Sequence, residues 1–329
     1  MDRLVDRRRH ALNQVVNILT RRQLLDTGLA GHEIDHEVDH GRLVRIRCGV
    51  YARSEDVRTD EDAANQIRRT HEREIAAAVL RLSSEAVVSH LSAAIVHGLP
   101  VLTAELGSQV EVTRARSHGG RIKSGIHVRV CPVDEAEVTV VDGVRVTDLA
   151  RTVIDVGRTR TFAQAVVVGD AALAKGLDRV SLAAAALRAK GRPGARRALR
   201  VAEFLDGRSE SPGESWSRAV IHLAGLPMPR LQEEVRDERG RFVARTDFCW
   251  PEHGVVGEFD GVQKYGRALQ PELGADEIVY REKQREDTIR SLGWTVARWT
   301  WSDLRHERLT GLLDRGFRVA AGRRPSATS

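Results

Sequence analysis

Apolar positions along this chain recur with two different periods, and the switches between them mark its elements. In Asp6–Leu19 and again in Gly31–His40, apolar side chains return every three or four residues, the spacing of one helix face. Between them Thr20 is placed to cap Arg-Arg-Gln-Leu-Leu-Asp, and Gly28 closes that short helix. Ile34 and Val38 would face a small core with Leu24 and Leu25. From Gly41 to Ala52 the pattern changes to alternation (Leu43, Arg45, Arg47, Val50), which predicts a two-stranded hairpin. A long amphipathic helix follows over Thr59–Leu82, then a fully apolar helix over Val87–Leu99. Strands are predicted at Val110–Arg116, Gly125–Pro132, Val138–Val141 and Gly143–Val146, with Asp142-Gly143 as a turn. Thr147 is placed to cap the next helix, and Ala-rich helices fill Phe162–Asp206.

The last third reads differently. Thr246–Trp250 alternates, Pro251–Gly254 breaks the pattern, and Val255–Phe259 is a second apolar run. Three carboxylates stand at the strand ends: Asp247 on the first strand, Glu258 and Asp260 on the second. With a turn at Glu252–Gly254, Asp247 comes close to facing Glu258, and Glu258 and Asp260 share a face. Carboxylates so close repel, and a hard divalent cation such as Mg2+ or Mn2+ would relieve them. The competing reading is a hairpin whose acidic edges resist aggregation.

Composition sharpens the division. The chain has 329 residues and a mean hydropathy of −0.33, and no apolar run long enough to span a membrane is expected. The N-terminus lacks the apolar core of a signal peptide. Cys48, Cys131 and Cys249 lack the spacing of a disulfide framework or a zinc knuckle, and a reducing cytoplasm fits. Residues 1–60 hold 11 Lys+Arg against 10 Asp+Glu, residues 61–209 hold 22 against 17, and residues 210–329 hold 19 against 19. Much of the positive excess lies in Lys190–Arg200, just ahead of the acidic hairpin. All 5 Trp lie at Trp216 or beyond. These shifts put a boundary near Asp206–Gly213 and predict a multidomain α/β (α+β) chain: residues 1–58, a middle α/β module at 59–208, and 209–329.

The first segment reads as a winged helix-turn-helix, with Arg42, Arg45 and Arg47 as phosphate contacts on DNA. An objection stands within the sequence: the recognition helix carries Glu33, Asp35, Glu37 and Asp39 and no Lys or Arg, which suits DNA only if those acids pair with neighbouring arginines. The same helix spells His32-Glu33-Ile34-Asp35-His36, a zinc-hydrolase spacing, but it is short, no third ligand is evident, and a chance match on a solvated face is the simpler expectation. The middle module shows no catalytic constellation. It reads as a scaffold or interaction module, with His90 and His97 as satisfied core or cap residues.

Several blocks carry a resemblance. Thr20-x-x-Gln23-Leu24, Gly28, Gly41-x-Leu43 and Gly49-Val50-Tyr51 resemble the antitoxin domain of type IV abortive-infection toxin–antitoxin systems. Ser89-His90-x-Ser92-Ala93-Ala94-x-x-His97-Gly98-Leu99 and Thr147–Asp155 resemble actinobacterial-type relatives of that group. The C-terminal part resembles the very-short-patch-repair-like branch of the PD-(D/E)XK nuclease superfamily. Together the matches span most of the chain. The resemblance implies a restriction-endonuclease-like αβββαβ core built from Gly213–Ala224, Glu233–Val235, Phe242–Trp250, Val255–Phe259, Arg281–Leu292 and Trp294–Trp299. It implies Mg2+- or Mn2+-dependent DNA endonuclease chemistry in a defence or toxin–antitoxin setting, with DNA and a cognate toxin as partners. The superfamily's first-helix acid matches Glu214, its strand-end aspartate Asp247, and the first acid of its (D/E)-x-K pair Glu258. Asp260 stands where that pair has its lysine, leaving Lys264 to supply the cation. Lys283 and Arg290 would reach phosphate from the following helix, where intrahelical pairs such as Lys283–Asp287 compete for the same charges. The second reading is a non-catalytic DNA-binding antitoxin or repressor on a degenerate nuclease fold.

Overall fold

In a computed structural model, residues 17–57, 62–83, 85–115, 120–261 and 275–323 are described. The chain is mixed α/β and divides into two compact units, residues 1–160 with 177–203, and residues 161–176 with 204–329. Among the described residues no helix is long and apolar enough to cross a membrane.

The first unit begins with β1 (Ile18–Thr20), α1 (Arg21–Asp26), α2 (Gly31–Asp39), β2 (Leu43–Arg47) and β3 (Val50–Arg53), the strands in the order β1-β3-β2. Thr20 and Gln23 form the capping box that starts α1. Ile34 and Leu24 are buried and Val38 packs beside them, but Leu25 is 45% exposed. Leu25 follows Leu24 and so points about 100° around the helix, away from the core. Of the helix expected over Asp6–Leu19, residues 6–16 lie outside the described residues. Ile18 and Leu19 are in β1 instead, paired with Ala52 and Tyr51 of β3.

One helical turn, α3 (Ser54–Val57), precedes α4 (Ala63–Val79), which Asp62 caps through the Ala64 and Asn65 amides. The apolar stretch after it is not one helix: Val87–Val88 is β4 and only His90–Val96 is helical, as α5. Val87 and Val88 are buried because they pair with Thr113 and Val112 in the middle of a sheet. That sheet also holds β5 (Val110–Arg114), β6 (Arg121–Lys123), β7 (Ile126–Val130), β8 (Val138–Val141) and β9 (Val144–Thr147), in the order β6-β7-β5-β4-β9-β8. The β8–β9 turn uses positive φ at Asp142 and Gly143. Asp148, not Thr147, caps α6 (Leu149–Thr159), because Thr147 is still in strand and its hydroxyl bonds to Thr152. Two further helices complete this unit, α8 (Arg179–Arg188) and α9 (Ala195–Phe204), the last at its edge.

The second unit takes α7 (Phe162–Ala174), followed by α10 (Pro212–Leu223), β10 (Arg230–Arg236), β11 (Phe242–Trp250), β12 (Val255–Asp260), α11 (Ala275–Ser291), β13 (Thr295–Thr300), α12 (Trp301–Arg305) and α13 (Leu309–Arg323). Its sheet runs β10-β11-β12-β13, antiparallel except for the parallel β12–β13 pair that α11 connects. From α10 to β13 the order is α-β-β-β-α-β. Alternation in the strands assigns the two faces. Phe248, Trp250, Val255, Phe259 and Trp299 pack on one side with Ile221 of α10 and Leu309 and Leu313 of α13. Cys249 and Val256 face the other side with Ile289 of α11. Trp299 is 1% exposed and its indole N–H donates to Ser217 Oγ at 2.7 Å, locking β13 to α10. Gly213 is needed where α10 meets β12: a Cβ there would lie 2.0 Å from Phe259 Cε1.

Candidate active site

The acidic residues of the second unit gather where β11 and β12 part. Their paired register runs from Trp250↔Val255 to Phe248↔Gly257 and stops. The next pair would be Asp247 and Glu258. Instead Asp247 Oδ2 accepts the Phe259 amide N–H at 2.9 Å, so a carboxylate stands in for a ladder carbonyl. This bond holds Asp247 against the end of β12 that carries Glu258 and Asp260.

Glu214 reaches the same region from the first turn of α10. Ser211 caps that helix and donates its hydroxyl to Glu214 Oε1 at 2.7 Å, while the Glu210 amide donates to Oε2 at 2.8 Å. Gln232 Nε2 donates to the same Oε2 at 3.0 Å. Gln232 lies across from Asp247 on β10, where the pairing between Leu231↔Phe248 and Glu233↔Thr246 skips one position. Its φ is +54°, the left-handed region that a non-glycine residue adopts at a cost of about 1–2 kcal/mol. That twist accompanies the turn of its amide onto Glu214.

Glu214 is 5% exposed, and its carboxyl is pushed above the usual carboxylate range, first by burial and then by the charge of Asp247, against the pull of Ser211, Glu210 and Gln232. Among the described residues, neither Glu214 nor Asp247 is matched by a Lys or Arg. Two carboxylates, the charge of one raising the proton affinity of the other, with no Lys or Arg against them among the described residues, are hard oxygen donors of the kind that suit a divalent ion with water or phosphate oxygens in its remaining positions.

Glu258 is in a different situation. It is 8% exposed, and each of its oxygens meets a guanidinium: Oε1 takes Arg285 Nη2 at 2.6 Å and Oε2 lies 2.8 Å from Arg298 Nη2. Arg298 is its register partner on β13 and also contacts Glu286 at 3.1 Å. Asp260 ends β12, half-buried, opposite Thr300. The structure therefore brings Glu214, Asp247 and Gln232 together and surrounds Glu258 with arginines. Among the described residues no group of three or more His, Cys, Asp or Glu is gathered closely enough to hold an ion. Lys264 lies outside the described residues. Lys283 is exposed on α11, and Arg290 pairs with Glu286 on the same helix.

The candidate DNA-contacting residues of the first unit also have partners. Arg42 makes two bonds to Glu37, at 2.7 and 2.6 Å, and Arg45 and Arg21 each lie 3.6 Å from Asp35. Glu33 accepts the Ala30 amide at 2.6 Å. Two of the four acids of α2, Asp35 and Glu37, are thus met within the unit by Arg45 and Arg42, which were expected to meet phosphate, and by Arg21. Arg47 is tied to Glu74 at 2.6 Å and to the Gly125 carbonyl at 3.1 Å. The His36 and His40 rings lie against each other at a 36° tilt, with centroids 3.8 Å apart.

Sequence reading missed Gln232, Arg285 and Arg298. For Arg298 a signal existed: it shares the inward parity of Val296 on an otherwise apolar strand, a position where a charge needs a partner. The backbone twist of Gln232 has no counterpart in the pattern.

No known protein-family model matches the chain. Over 276 residues it is 28% identical to an uncharacterized protein, Rv2248, of Mycobacterium tuberculosis (strain ATCC 25618 / H37Rv), covering 84% of this chain and 92% of that protein. The same values hold for the uncharacterized protein MT2308 of Mycobacterium tuberculosis (strain CDC 1551 / Oshkosh). Among solved structures it is similar to the RV2827C protein from Mycobacterium tuberculosis, at 15% identity and a TM-score of 0.37, over 72% of this chain and 88% of that one.

Proposed function

We propose that the second unit is a metal-dependent phosphodiesterase domain of the PD-(D/E)XK kind acting on DNA. The observation that carries this reading is the Glu214–Asp247 pair where the β11–β12 pairing ends, which no Lys or Arg meets among the described residues. In this account Asp247 and Glu214 hold a Mg2+ or Mn2+ ion, and Glu258 joins them when a guanidinium gives way. When bound, the ion supplies Lewis acidity toward a phosphate oxygen and an acidified water. Asp247, fixed by the Phe259 amide, sets where the phosphate sits relative to β12. Gln232 and the Glu210 amide keep Glu214 turned toward Asp247. Arg285 and Arg298 neutralise Glu258 in the free protein and are close enough to meet a phosphate that enters beside it. Asp260 lines the same strand end, and Lys264 is the remaining cation of the proposed machinery.

The test is cleavage of supercoiled plasmid with Mg2+ or Mn2+. Metal-dependent nicking that EDTA and Asp247→Ala both abolish supports the proposal, while no cleavage by purified protein under any of these conditions refutes it. The two guanidiniums on Glu258 favour a second reading, in which the site has lost activity and the domain binds DNA without cutting it. Salt-sensitive DNA binding that survives Asp247→Ala, with no nicking, would select that reading.

For the start of the first unit, the proposed role is a winged-helix module that regulates through DNA or a cognate toxin. Arg42 and Arg45 would exchange Glu37 and Asp35 for phosphate on binding. Charge-removing Arg42→Gln and Arg45→Gln variants should then weaken DNA binding and reduce its salt dependence.

A further inference from the structure

The basic Lys190–Arg200 stretch takes on a shape in the first unit that its sequence did not show. The loop Gly191-Arg192-Pro193-Gly194 folds against the end of α6 and, with β7, walls a cavity of about 1090 Å³. The loop is pinned there: Arg158 Nε donates to the Pro193 carbonyl at 2.9 Å, and Arg197 donates to the Arg158 carbonyl. Gly194, at φ +79°, must be glycine, since a Cβ would lie 2.3 Å from the Arg158 carbonyl oxygen. A loop held this closely is a built wall.

Charge in this cavity is one-sided. Arg129, Arg158, Arg192 and Arg197 line it with His90 and His127, and among the described residues no carboxylate lines it. Arg129 and Arg158 are matched from behind, by Glu111 at 2.8 Å and Asp155 at 2.7 Å. Among the described residues Arg192 and Arg197 meet only carbonyls, those of Pro132 and Arg158. Arg192 Nη1 is buried with no hydrogen-bond partner. An oxyanion bound beside Arg192 and Arg197 would give these guanidiniums a charged acceptor in place of carbonyls, the stronger kind of hydrogen bond.

The remaining walls narrow the ligand. Ile122, 57% exposed, stands with Val130 and Pro193 around the same space, giving a flat apolar group somewhere to rest. The volume lies just above the usual range of small-ligand sites, about 300–1,000 Å³, far more than a lone phosphate fills. We propose that this cavity binds a nucleoside phosphate, its phosphates on Arg192 and Arg197 and its base against the apolar wall. This site is separate from the acidic site and does not depend on the reading given there.

The experiment is calorimetric titration of the full chain with ATP, in EDTA so that divalent ions play no part. Saturable binding with one ATP per chain is expected, competed by pyrophosphate and weakened about tenfold or more in Arg192→Gln/Arg197→Gln. The unchanged melting temperature of that variant would show that the loss is not unfolding. Absence of saturable ATP binding, or equal affinity in the double variant, overturns the proposal. So does a short DNA duplex that binds through Arg192 and Arg197 while ATP does not.

Discussion

Gln232 allows a backbone effect and a side-chain effect to be separated by two substitutions at one position. Its φ of +54° costs about 1–2 kcal/mol in a residue with a Cβ. Its amide donates to the buried, ionisable Glu214 at 3.0 Å, a bond of the charge-assisted kind worth about 1.5–3 kcal/mol when the acceptor is ionised. Gln232→Ala removes the bond and keeps the strain. Gln232→Gly removes the same bond and relieves the strain, less about 0.5–1 kcal/mol for glycine's extra freedom in the unfolded chain. The glycine variant should therefore be more stable than the alanine variant by about 0.5–1 kcal/mol, or roughly 1–4 °C in the melting of a unit of this size. Urea unfolding followed by tryptophan fluorescence reports on this unit directly, because every Trp lies in it. Both variants should lose Mn2+ affinity equally, since both free Glu214 from the same amide. An alanine variant as stable as the glycine variant would refute the strain. A glycine variant with full Mn2+ affinity would refute the positioning role.

Three further predictions concern packing and charge. Gly213→Ala puts a Cβ 2.0 Å from the ring of Phe259, itself 4% exposed, and should cost about 1–3 kcal/mol in unfolding experiments while weakening Mn2+ binding through the shifted Glu214. Glu111 is held down at about 2: burial would raise it, but Arg160 and Arg129 pull it down, joined by His90 once that ring protonates near 4. A depressed carboxyl contributes stability in full above its unfolded value of 4.5 and loses it as pH falls toward 2, here roughly 3 kcal/mol. The stability gap between wild type and Glu111→Gln, measured by chemical denaturation, should accordingly shrink between about pH 5 and about pH 3. Gly194→Ala and Gly28→Ala both force positive φ on alanine, but only the first also meets a carbonyl at 2.3 Å, so it should lower the melting temperature clearly more.

Legibility in the sequence followed how local each cause is. Thr20 with Gln23, the Asp142-Gly143 turn and the Pro251–Gly254 break act within a few residues, and all were readable. The α-β-β-β-α-β order was an implication of the resemblance, and apolar runs marked only the two strands around Pro251–Gly254. Val87 and Val88 were misread as helix because a short buried strand and a buried helix have the same all-apolar pattern, and only pairing with Val112 and Thr113 distinguishes them. Asp247, Glu258 and Asp260 were legible as acids at strand ends. Their division was not. The sequence could not show that Asp247 would turn to the Phe259 amide beside Glu214 while Glu258 met two arginines from α11 and β13, because both outcomes depend on contacts between distant segments.

If Glu214 and Asp247 hold a divalent ion, the full chain must bind Mn2+ with an affinity that depends on both carboxylates. Electron paramagnetic resonance of free Mn2+ during titration with the full chain counts bound ions without requiring catalysis. Saturable binding that Asp247→Asn and Glu214→Gln each weaken by about tenfold or more, in variants that melt like wild type, is the predicted result. Mn2+ that stays free, or binds as tightly to both variants as to wild type, would contradict it.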